Sequence, residues 1–175
     1  REAGARRALG LEAGDRVIGA VGRLEPGKGL DRLVEAVADL RASDPRVRLV
    51  VVGDGSLRGA LEGDARERLP SACLFTGHRP DIIDLHHGFD LFVHPSDHEG
   101  SPNAVLEAMA LETPLVATDA GGNIFVTGGF GDPIAFWSDS PQPASLTPAG
   151  NFDFFLASFA PDGTPSDVVT AAVPF

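Results

Sequence analysis

DLFVHPSDHEGSPNAVLEAMAL, residues 90–111, combines a strand, a loop and a helix in one short run. Residues 90–94 are typical of a short buried strand, and residues 103–111 are typical of an apolar helix. Ser101 suits the cap of that helix, and Pro102 suits its first position. This order of elements indicates an α/β fold, and the free N–H groups of the first helical turn predict an anion site.

Two carboxylates, Glu99 and Glu107, lie eight positions apart in this stretch. The predicted helix is apolar except for Glu107, which favours burial on most sides. A lone buried carboxylate is costly unless something binds it. Carboxylates suit hydroxyl groups and the helix N-terminus suits a phosphate, so the stretch predicts a nucleotide sugar as ligand. The alternative is that Glu107 is a surface glutamate on a helix less buried than this pattern indicates.

A second candidate site lies upstream, where residues 15–22 are strand-like and residues 23–29 lead into a helix over about residues 30–41. Lys28 is the only lysine among 14 basic residues, which hints at a positioned cation in a glycine-flanked loop. A solvated surface lysine is the alternative interpretation.

The same loop nearly matches the P-loop of nucleotide triphosphatases. Gly22, Gly27 and Lys28 fit the pattern G-x-x-x-x-G-K, but Gly29 stands where the motif needs Ser or Thr to ligate magnesium. Asp54 follows a glycine instead of ending the next strand. A P-loop NTPase is therefore only a third hypothesis.

Strand-like and helix-like segments alternate along most of the chain, which predicts an α/β fold with a doubly wound, Rossmann-like parallel sheet. Such sheets bind ligands beyond the carboxyl ends of their strands, where Arg23, Lys28, Gly53 and Glu99 all fall. We expect strands at about residues 17–21, 49–52, 73–76, 91–94 and 115–118, and helices at about 30–41, 56–68, 82–87 and 103–111.

Five separate motifs carry a family resemblance, and their order and spacing hold over about residues 17–122. They are Gly22-Arg23-Leu24 with Lys28-Gly29, residues 51–55, residues 75–77, residues 90–96, and Glu99 through Glu107. Together they resemble the donor-binding domain of retaining GT-B glycosyltransferases of the family-4 type, the glycosyl transferases group 1. The resemblance implies an incomplete GT-B C-terminal half that binds a nucleotide-diphosphate sugar for metal-independent transfer.

The resemblance also implies a role for each matching residue. Arg23 and Lys28 would hold the donor pyrophosphate, Glu99 would contact sugar hydroxyls, and Glu107 would contact the ribose. Two cations beside a helix N-terminus can stabilise a leaving diphosphate without a metal, and the sequence lacks D-x-D. The candidate catalytic residues are therefore Arg23, Lys28 and Glu99, with no cofactor and no metal. The candidate donor-binding residues are Gly22, Gly53, Gly77, His78, Gly100, Ser101, Pro102, Asn103 and Glu107.

The chain changes character at Gly122. All 14 basic residues precede it, and eight of the 11 Phe follow it among Pro and Gly turns, a composition that favours β structure. Residues 119–130 and 146–163 resemble one bacterial β-propeller repeat of the SBBP type, as in a fusion of two families. We therefore expect a nucleotide-sugar-binding domain at 1–122 and a propeller-repeat-like segment at 123–175. This segment should form a small antiparallel sheet, separate from the parallel sheet or attached to its edge, whose open edges favour self-association.

Composition narrows the function further. A net charge of −11 argues against nucleic-acid binding. No apolar run approaches the roughly 20 residues of a membrane span, so we expect a cytoplasmic protein with no transmembrane segment. Cys73 is solitary and suits core packing. The histidines lack the spacing of a zinc site, and residues 81–87 fit a solvated helix face.

The chain starts at Arg1 with no acceptor-binding half upstream, so we expect an excerpt of a longer protein. The favoured hypothesis is the donor half of a glycosyltransferase that takes a UDP- or GDP-sugar and needs an N-terminal acceptor-binding domain. The second hypothesis is a non-catalytic binding or scaffold module with a vestigial site and a β tail for association.

Overall fold

The structure is a computed structural model that describes residues 1–97, 103–119, 121–130, 134–136, 144–146 and 153–171. Helices and strands alternate up to residue 118. In chain order the elements are α1 (Glu2–Ala8), β1 (Arg16–Val21), α2 (Leu30–Ser43), β2 (Val47–Val52), α3 (Arg58–Arg68), β3 (Cys73–Gly77), α4 (Ile82–His86), β4 (Leu91–His94), α5 (Asn103–Ala110), β5 (Leu115–Thr118), β6 (Ile124–Phe130), β7 (Ile134–Phe136), β8 (Ala144–Leu146), β9 (Asp153–Phe159) and β10 (Pro165–Ala171).

Within the described part of the chain, eight strands form one mixed sheet in the order β10-β9-β6-β5-β4-β1-β2-β3. The strands β1 to β5 pair in parallel. The strands β6, β9 and β10 continue the sheet with antiparallel pairing beside β5. The predicted α/β class with a parallel core is therefore confirmed, and the antiparallel tail is attached to the edge of the parallel sheet.

A tight turn joins the parallel part of the sheet to the tail. The Asp119 carboxylate accepts hydrogen bonds from the N–H groups of Gly121 and Asn123 at 2.8 and 2.9 Å. It also accepts one from the Asn123 side chain, which lowers the pKa of Asp119. Strands on both sides of residue 122 thus share one sheet, and the division into two domains at that residue stays a prediction.

Apolar side chains cover both faces of the parallel strands, as runs of Val, Ile and Leu require. One face packs against α2 and α3 through Leu33, Val37 and Leu61. The other face packs against α4 and α5 through Leu85 and Ala108. With both faces covered, the ends of the strands are the part of the sheet that remains open to a ligand.

A buried arginine ties α1 to the start of β4. Arg6 is 8% exposed, and its Nη2 donates to the two carboxylate oxygens of Asp90 at 2.8 and 2.9 Å. The Val17 N–H donates to the same carboxylate at 2.7 Å. Arg6 and Asp90 are far apart in sequence, so no local pattern predicts their contact.

The prediction of a helix buried on most sides is wrong for α5. Ala108 is fully buried, whereas Leu106 and Met109 are 56% and 57% exposed. One side of the helix packs on the sheet, and an apolar composition cannot tell whether the opposite side is covered as well. Within the described ranges, no helix combines the length and the apolar character that a membrane span needs.

Candidate functional site

A cavity of about 530 Å³ opens at the carboxyl ends of β1, β2, β3 and β4. Its walls come from the residues that end or follow these strands and from the first half of α5. The lining residues are Val21, Gly22, Arg23, Val52, Gly53, Asp54, His78, Arg79, Ile82, His94, Asn103, Ala104 and Glu107.

Two glycines line this main cavity where β1 and β2 end. Gly53 has a φ of 140°, and a Cβ there would lie 1.8 Å from the Gly22 carbonyl oxygen, so only glycine fits without backbone movement. The Gly53 N–H donates to the Gly77 carbonyl at 2.9 Å, which joins the ends of β2 and β3. Gly77 itself is buried and is not among the lining residues. The Gly77 backbone thus supports the wall of the cavity, and the binding role predicted for Gly77 stays a prediction.

Arg23 and Lys28 lie on the loop between β1 and α2. Arg23 is exposed at the wall of the main cavity, and both residues line an adjoining cavity of about 60 Å³ with Gly22 and His94. The Arg23 guanidinium donates no hydrogen bond to any residue that the structure describes. The structure thus brings the two predicted cations to the same end of the site.

Hydrogen bonds hold this loop against its neighbours. The Leu24 N–H donates to the Asp54 carbonyl at 2.9 Å, and the Asp97 N–H donates to the Gly27 carbonyl at 2.9 Å. Arg32 forms a salt bridge with the Asp97 side chain. The loop is therefore fixed from both sides, so its cations need little reorganisation to meet an anion.

Helix α5 supplies two of the predicted residues, Asn103 at its first position and Glu107 one turn later. Glu107 is half-buried, and its carboxylate accepts no hydrogen bond from the described part of the chain. Such a carboxylate is available to the hydroxyl groups of a ligand. The structure places Glu107 at the cavity, and its role there stays a prediction.

The loop after β3 forms the other end of the main cavity. His78 is exposed there, and Arg79 and Ile82 lie beside it. The Arg79 Nε and Nη2 donate to the two carboxylate oxygens of Asp81 at 2.8 and 2.6 Å. This hydrogen-bonded pairing raises the pKa of Arg79 and lowers the pKa of Asp81. Both side chains are therefore charged at neutral pH.

Asp54 is an acidic wall residue that is not among the predicted site residues. Its carboxylate accepts hydrogen bonds from the Gly55 N–H at 2.8 Å and from Arg58 Nη1 at 2.9 Å. These two bonds lower the pKa of Asp54. Because Arg58 compensates its charge, Asp54 repels a phosphate less than an isolated carboxylate would.

Four predicted site residues, Glu99, Gly100, Ser101 and Pro102, lie outside the described residues. Their roles stay predictions. Several wall residues are not among the predicted site residues, although most of them end or follow strands, where α/β sheets bind ligands. The missed wall residues are Val21, Val52, Asp54, Arg79, Ile82, His94 and Ala104.

Cys73, which is partly buried, and His86 carry chemistry that the site does not use. Burial raises the pKa of the Cys73 thiol to about 12, which excludes a thiolate nucleophile. His86 is fully buried beside Phe89 and Phe92, at 5.3 Å between ring centroids in each pair, and neither ring nitrogen has a hydrogen-bond partner among the described residues. Burial lowers the pKa of His86 to about 4. The prediction of a solvated face at residues 81–87 is therefore wrong at His86.

The structure argues against a P-loop at the turn after β1. Gly29 has a φ of 63°, and a Cβ there would lie 2.1 Å from the Pro95 carbonyl oxygen, so the Ser or Thr of a P-loop does not fit. In the described segments, no group of three His, Cys, Asp or Glu side chains could hold a metal ion.

A further cavity of about 470 Å³ lies between α2 and α3. Its walls carry Glu25, Asp31 and Asp64 and no basic side chain. Three carboxylates disfavour a phosphate, so the main cavity is the better site for an anionic ligand.

Comparison with known proteins gives a consistent result. A model of the family described as glycosyl transferases group 1 matches residues 3–146. The chain is 36% identical over 132 residues to the lipopolysaccharide core biosynthesis mannosyltransferase LpsB of Rhizobium meliloti. This alignment covers 71% of the chain and 38% of LpsB. It is 40% identical over 111 residues to a GDP-mannose-dependent alpha-mannosyltransferase of Mycobacterium tuberculosis. That alignment covers 62% of the chain and 27% of the mannosyltransferase.

A solved structure shares the fold as well. The chain resembles Anabaena HepE, solved in complex with UDP and glucose, with a TM-score of 0.60 and 31% identity over 66% of this chain and 32% of HepE. The chain spans less than half of the length of the curated relatives named above. The family match runs past residue 122 into the tail, and the propeller-repeat resemblance stays a prediction.

Proposed function

The chain belongs to the glycosyl transferases group 1 family, and from that membership we propose that its main cavity binds the nucleoside diphosphate of a sugar donor. The observation that carries the proposal is the placement of Arg23 and Glu107 on the walls of one cavity. Neither side chain forms a hydrogen bond with the described residues. A guanidinium suits a phosphate and a carboxylate suits hydroxyl groups, so the pair fits the pyrophosphate and the ribose of one nucleotide.

The shape of the cavity supports the same ligand. It crosses the ends of four adjacent strands, β4, β1, β2 and β3. Three spacings of about 4.8 Å make roughly 14 Å, enough for a pyrophosphate, a ribose and a base in a row. In this arrangement the phosphates lie beside Arg23 and Lys28, the base lies beside His78, and Glu107 meets the ribose between them.

The proposed reaction is retaining, metal-independent glycosyl transfer. When the bond between the anomeric carbon and the diphosphate oxygen breaks, the diphosphate gains negative charge. Arg23 and Lys28 are held on a fixed loop and stabilise that charge, and the N-terminus of α5 at Asn103 adds its positive dipole end. The contacts of Glu99 with sugar hydroxyls and of residues 100–102 with the phosphates belong to this proposal.

Two relatives support a UDP- or GDP-sugar as donor. HepE was solved with UDP and glucose, and the mycobacterial relative is named for its dependence on GDP-mannose. Because the chain spans less than half of its relatives, we propose that an N-terminal acceptor-binding domain completes the active site. A cytoplasmic location is part of the same proposal.

The second part of the proposal concerns the tail, which contains the antiparallel strands β6, β9 and β10. In the described sheet β10 is an edge strand, and Leu156 on the neighbouring β9 is 42% exposed. We propose that this edge strand, together with the exposed apolar face of β9 beside it, mediates self-association; the segment resembles a fused propeller repeat. Leu156→Lys should lower the weight-average mass in sedimentation, whereas Leu40→Lys on α2, at a leucine 53% exposed, should not. Equal masses for both variants would reject this role.

Thermal shift of the whole chain tests donor binding. In EDTA, UDP or GDP should raise the melting temperature, because a ligand at about 100 times its Kd stabilises the folded state by roughly 2.7 kcal/mol. If no nucleotide stabilises the chain, the scaffold hypothesis replaces donor binding. If only ATP together with added magnesium stabilises the chain, the P-loop NTPase hypothesis replaces donor binding.

A further inference from the structure

Arg79 occupies the end of the main cavity that lies farthest from the predicted phosphate ligands. It follows β3, the edge strand, whereas Arg23 follows β1, two strands away. Two strand spacings amount to about 10 Å, so a diphosphate held by Arg23 ends before it reaches Arg79. In the proposed arrangement of the donor, the part that lies beside Arg79 is the nucleobase.

The Arg79 guanidinium is held in a defined orientation. Its Nε and Nη2 bind the two carboxylate oxygens of Asp81 side by side, and its side chain is 30% exposed. The Nη1 group donates no hydrogen bond to the described residues. Because guanidinium groups carry only donors, the remaining N–H groups are available to an acceptor on a ligand.

Nucleobases differ in what they offer to such a donor. Guanine has the O6 and N7 acceptors, and uracil, like thymine, has a carbonyl at position 4, whereas adenine has an amino group in place of the guanine carbonyl. Adenine keeps the N7 acceptor but carries a donor where guanine has O6, so an arginine that reaches this edge favours a base with a carbonyl over adenine. Ile82 at the same end offers the base an apolar surface to lie against.

We propose that Arg79 is the residue that selects the donor nucleobase, by donating a hydrogen bond to a carbonyl oxygen of uracil or guanine. Asp81 positions the guanidinium for this contact. The assignment rests on the proposed function, because it requires a nucleoside diphosphate in the main cavity.

The chain contains a matched control for this arginine. Arg46 binds Asp44 with the same pair of nitrogens, Nε at 2.9 Å and Nη2 at 2.8 Å, and the same two-residue separation. It precedes β2, at the opposite end of the sheet from the cavity. Arg46→Ala therefore removes the same charge and the same kind of ion pair without touching the site.

Isothermal titration calorimetry with UDP, GDP, ADP and inorganic pyrophosphate tests the assignment on the full chain. One of UDP and GDP should bind the wild type more tightly than the other. Arg79→Ala should lower the affinity for that nucleotide about tenfold, because a hydrogen bond from a charged donor is lost. It should leave ADP and pyrophosphate unchanged, and Asp81→Asn should weaken the same ligand. Arg46→Ala should bind all four ligands with the affinity of the wild type. Circular dichroism checks that each variant is folded.

Three results would overturn the assignment in different ways. If wild-type chain binds UDP or GDP and Arg79→Ala binds it equally well, Arg79 does not read the base. If Arg79→Ala weakens pyrophosphate as much as UDP, the arginine acts on the phosphates. If the wild type binds no nucleoside diphosphate, the proposed function fails and the assignment falls with it.

Discussion

Gly22 and Gly53 approach so closely at the ends of β1 and β2 that a Cβ on Gly53 would lie 1.8 Å from the Gly22 carbonyl oxygen. Both glycines line the main cavity. The Gly53 N–H also donates to the Gly77 carbonyl, so three strand ends are tied together at this point. The wall between the predicted phosphate end and the predicted base end is therefore bare backbone that a ligand can approach closely.

Replacing Gly53 with alanine should destabilise the chain and deform the cavity. The new methyl group meets backbone rather than a movable side chain, and a φ of 140° is strained for alanine, so we expect a loss of about 1–3 kcal/mol in unfolding free energy. Urea denaturation measures it. Gly63→Ala on α3 is the control, because that position has open space and alanine should add roughly 0.5–1 kcal/mol there. A Gly53→Ala chain as stable as the wild type would refute the tight contact.

Replacing Arg23 with alanine should weaken the binding of UDP far more than the binding of uridine. The guanidinium is available to the diphosphate, and a hydrogen bond to a charged group contributes roughly 1.5–3 kcal/mol. Lys28→Ala should show the same selectivity for the diphosphate. Calorimetry with both ligands measures the difference, and Arg66→Ala on the exposed side of α3 controls for net charge. Equal losses for uridine and UDP would show that these cations do not contact phosphate.

Replacing Glu107 with glutamine should weaken UDP while leaving inorganic pyrophosphate unaffected. The substitution keeps the shape and one acceptor but loses the charge, so a ribose hydroxyl is bound less strongly. Glu67→Gln, on an exposed part of α3, is the matched control. If Glu107→Gln binds UDP as the wild type does, the carboxylate has no part in ribose binding.

His86 should make the chain lose stability in mild acid. Its pKa is about 4 in the folded chain and about 6.5 in the unfolded chain, so the unfolded state binds the proton first. This contribution is fully present above pH 6.5 and is lost as the pH falls towards 4. In His86→Leu the urea midpoint should depend less on pH over this window than in the wild type. His78→Leu, at an exposed histidine, should keep the wild-type dependence, and equal pH profiles for all three chains would contradict the burial argument.

Most of the parallel fold could be predicted because its signals are local. The strand Leu91–His94 and the helix start at Asn103 agree with the sequence prediction, since a short apolar run and a capped, proline-led helix start mark their bounds. The positions of Arg23 and Gly53 at strand ends follow from the same alternation of strands and helices.

Other features depend on contacts that no local pattern encodes. The exposure of Leu106 and Met109 depends on what covers the outer side of α5, and the full burial of His86 depends on how α4 packs against the rest of the fold. The place of Arg79 at the cavity depends on the order of strands in the sheet, which puts β3 at the edge. Composition and periodicity cannot supply these long-range relations.

Amide chemical-shift mapping of the whole chain with UDP or GDP in EDTA is the most direct test of the central claim that the cavity at the strand ends binds a nucleoside diphosphate. If the nucleotide binds there, saturable shifts should appear together at Gly22, Gly53, His78 and Asn103, because these residues lie on separate elements and meet at that cavity. The claim fails if UDP and GDP shift none of these amides, or shift instead those of Glu25, Asp31 and Asp64 around the acidic cavity between α2 and α3.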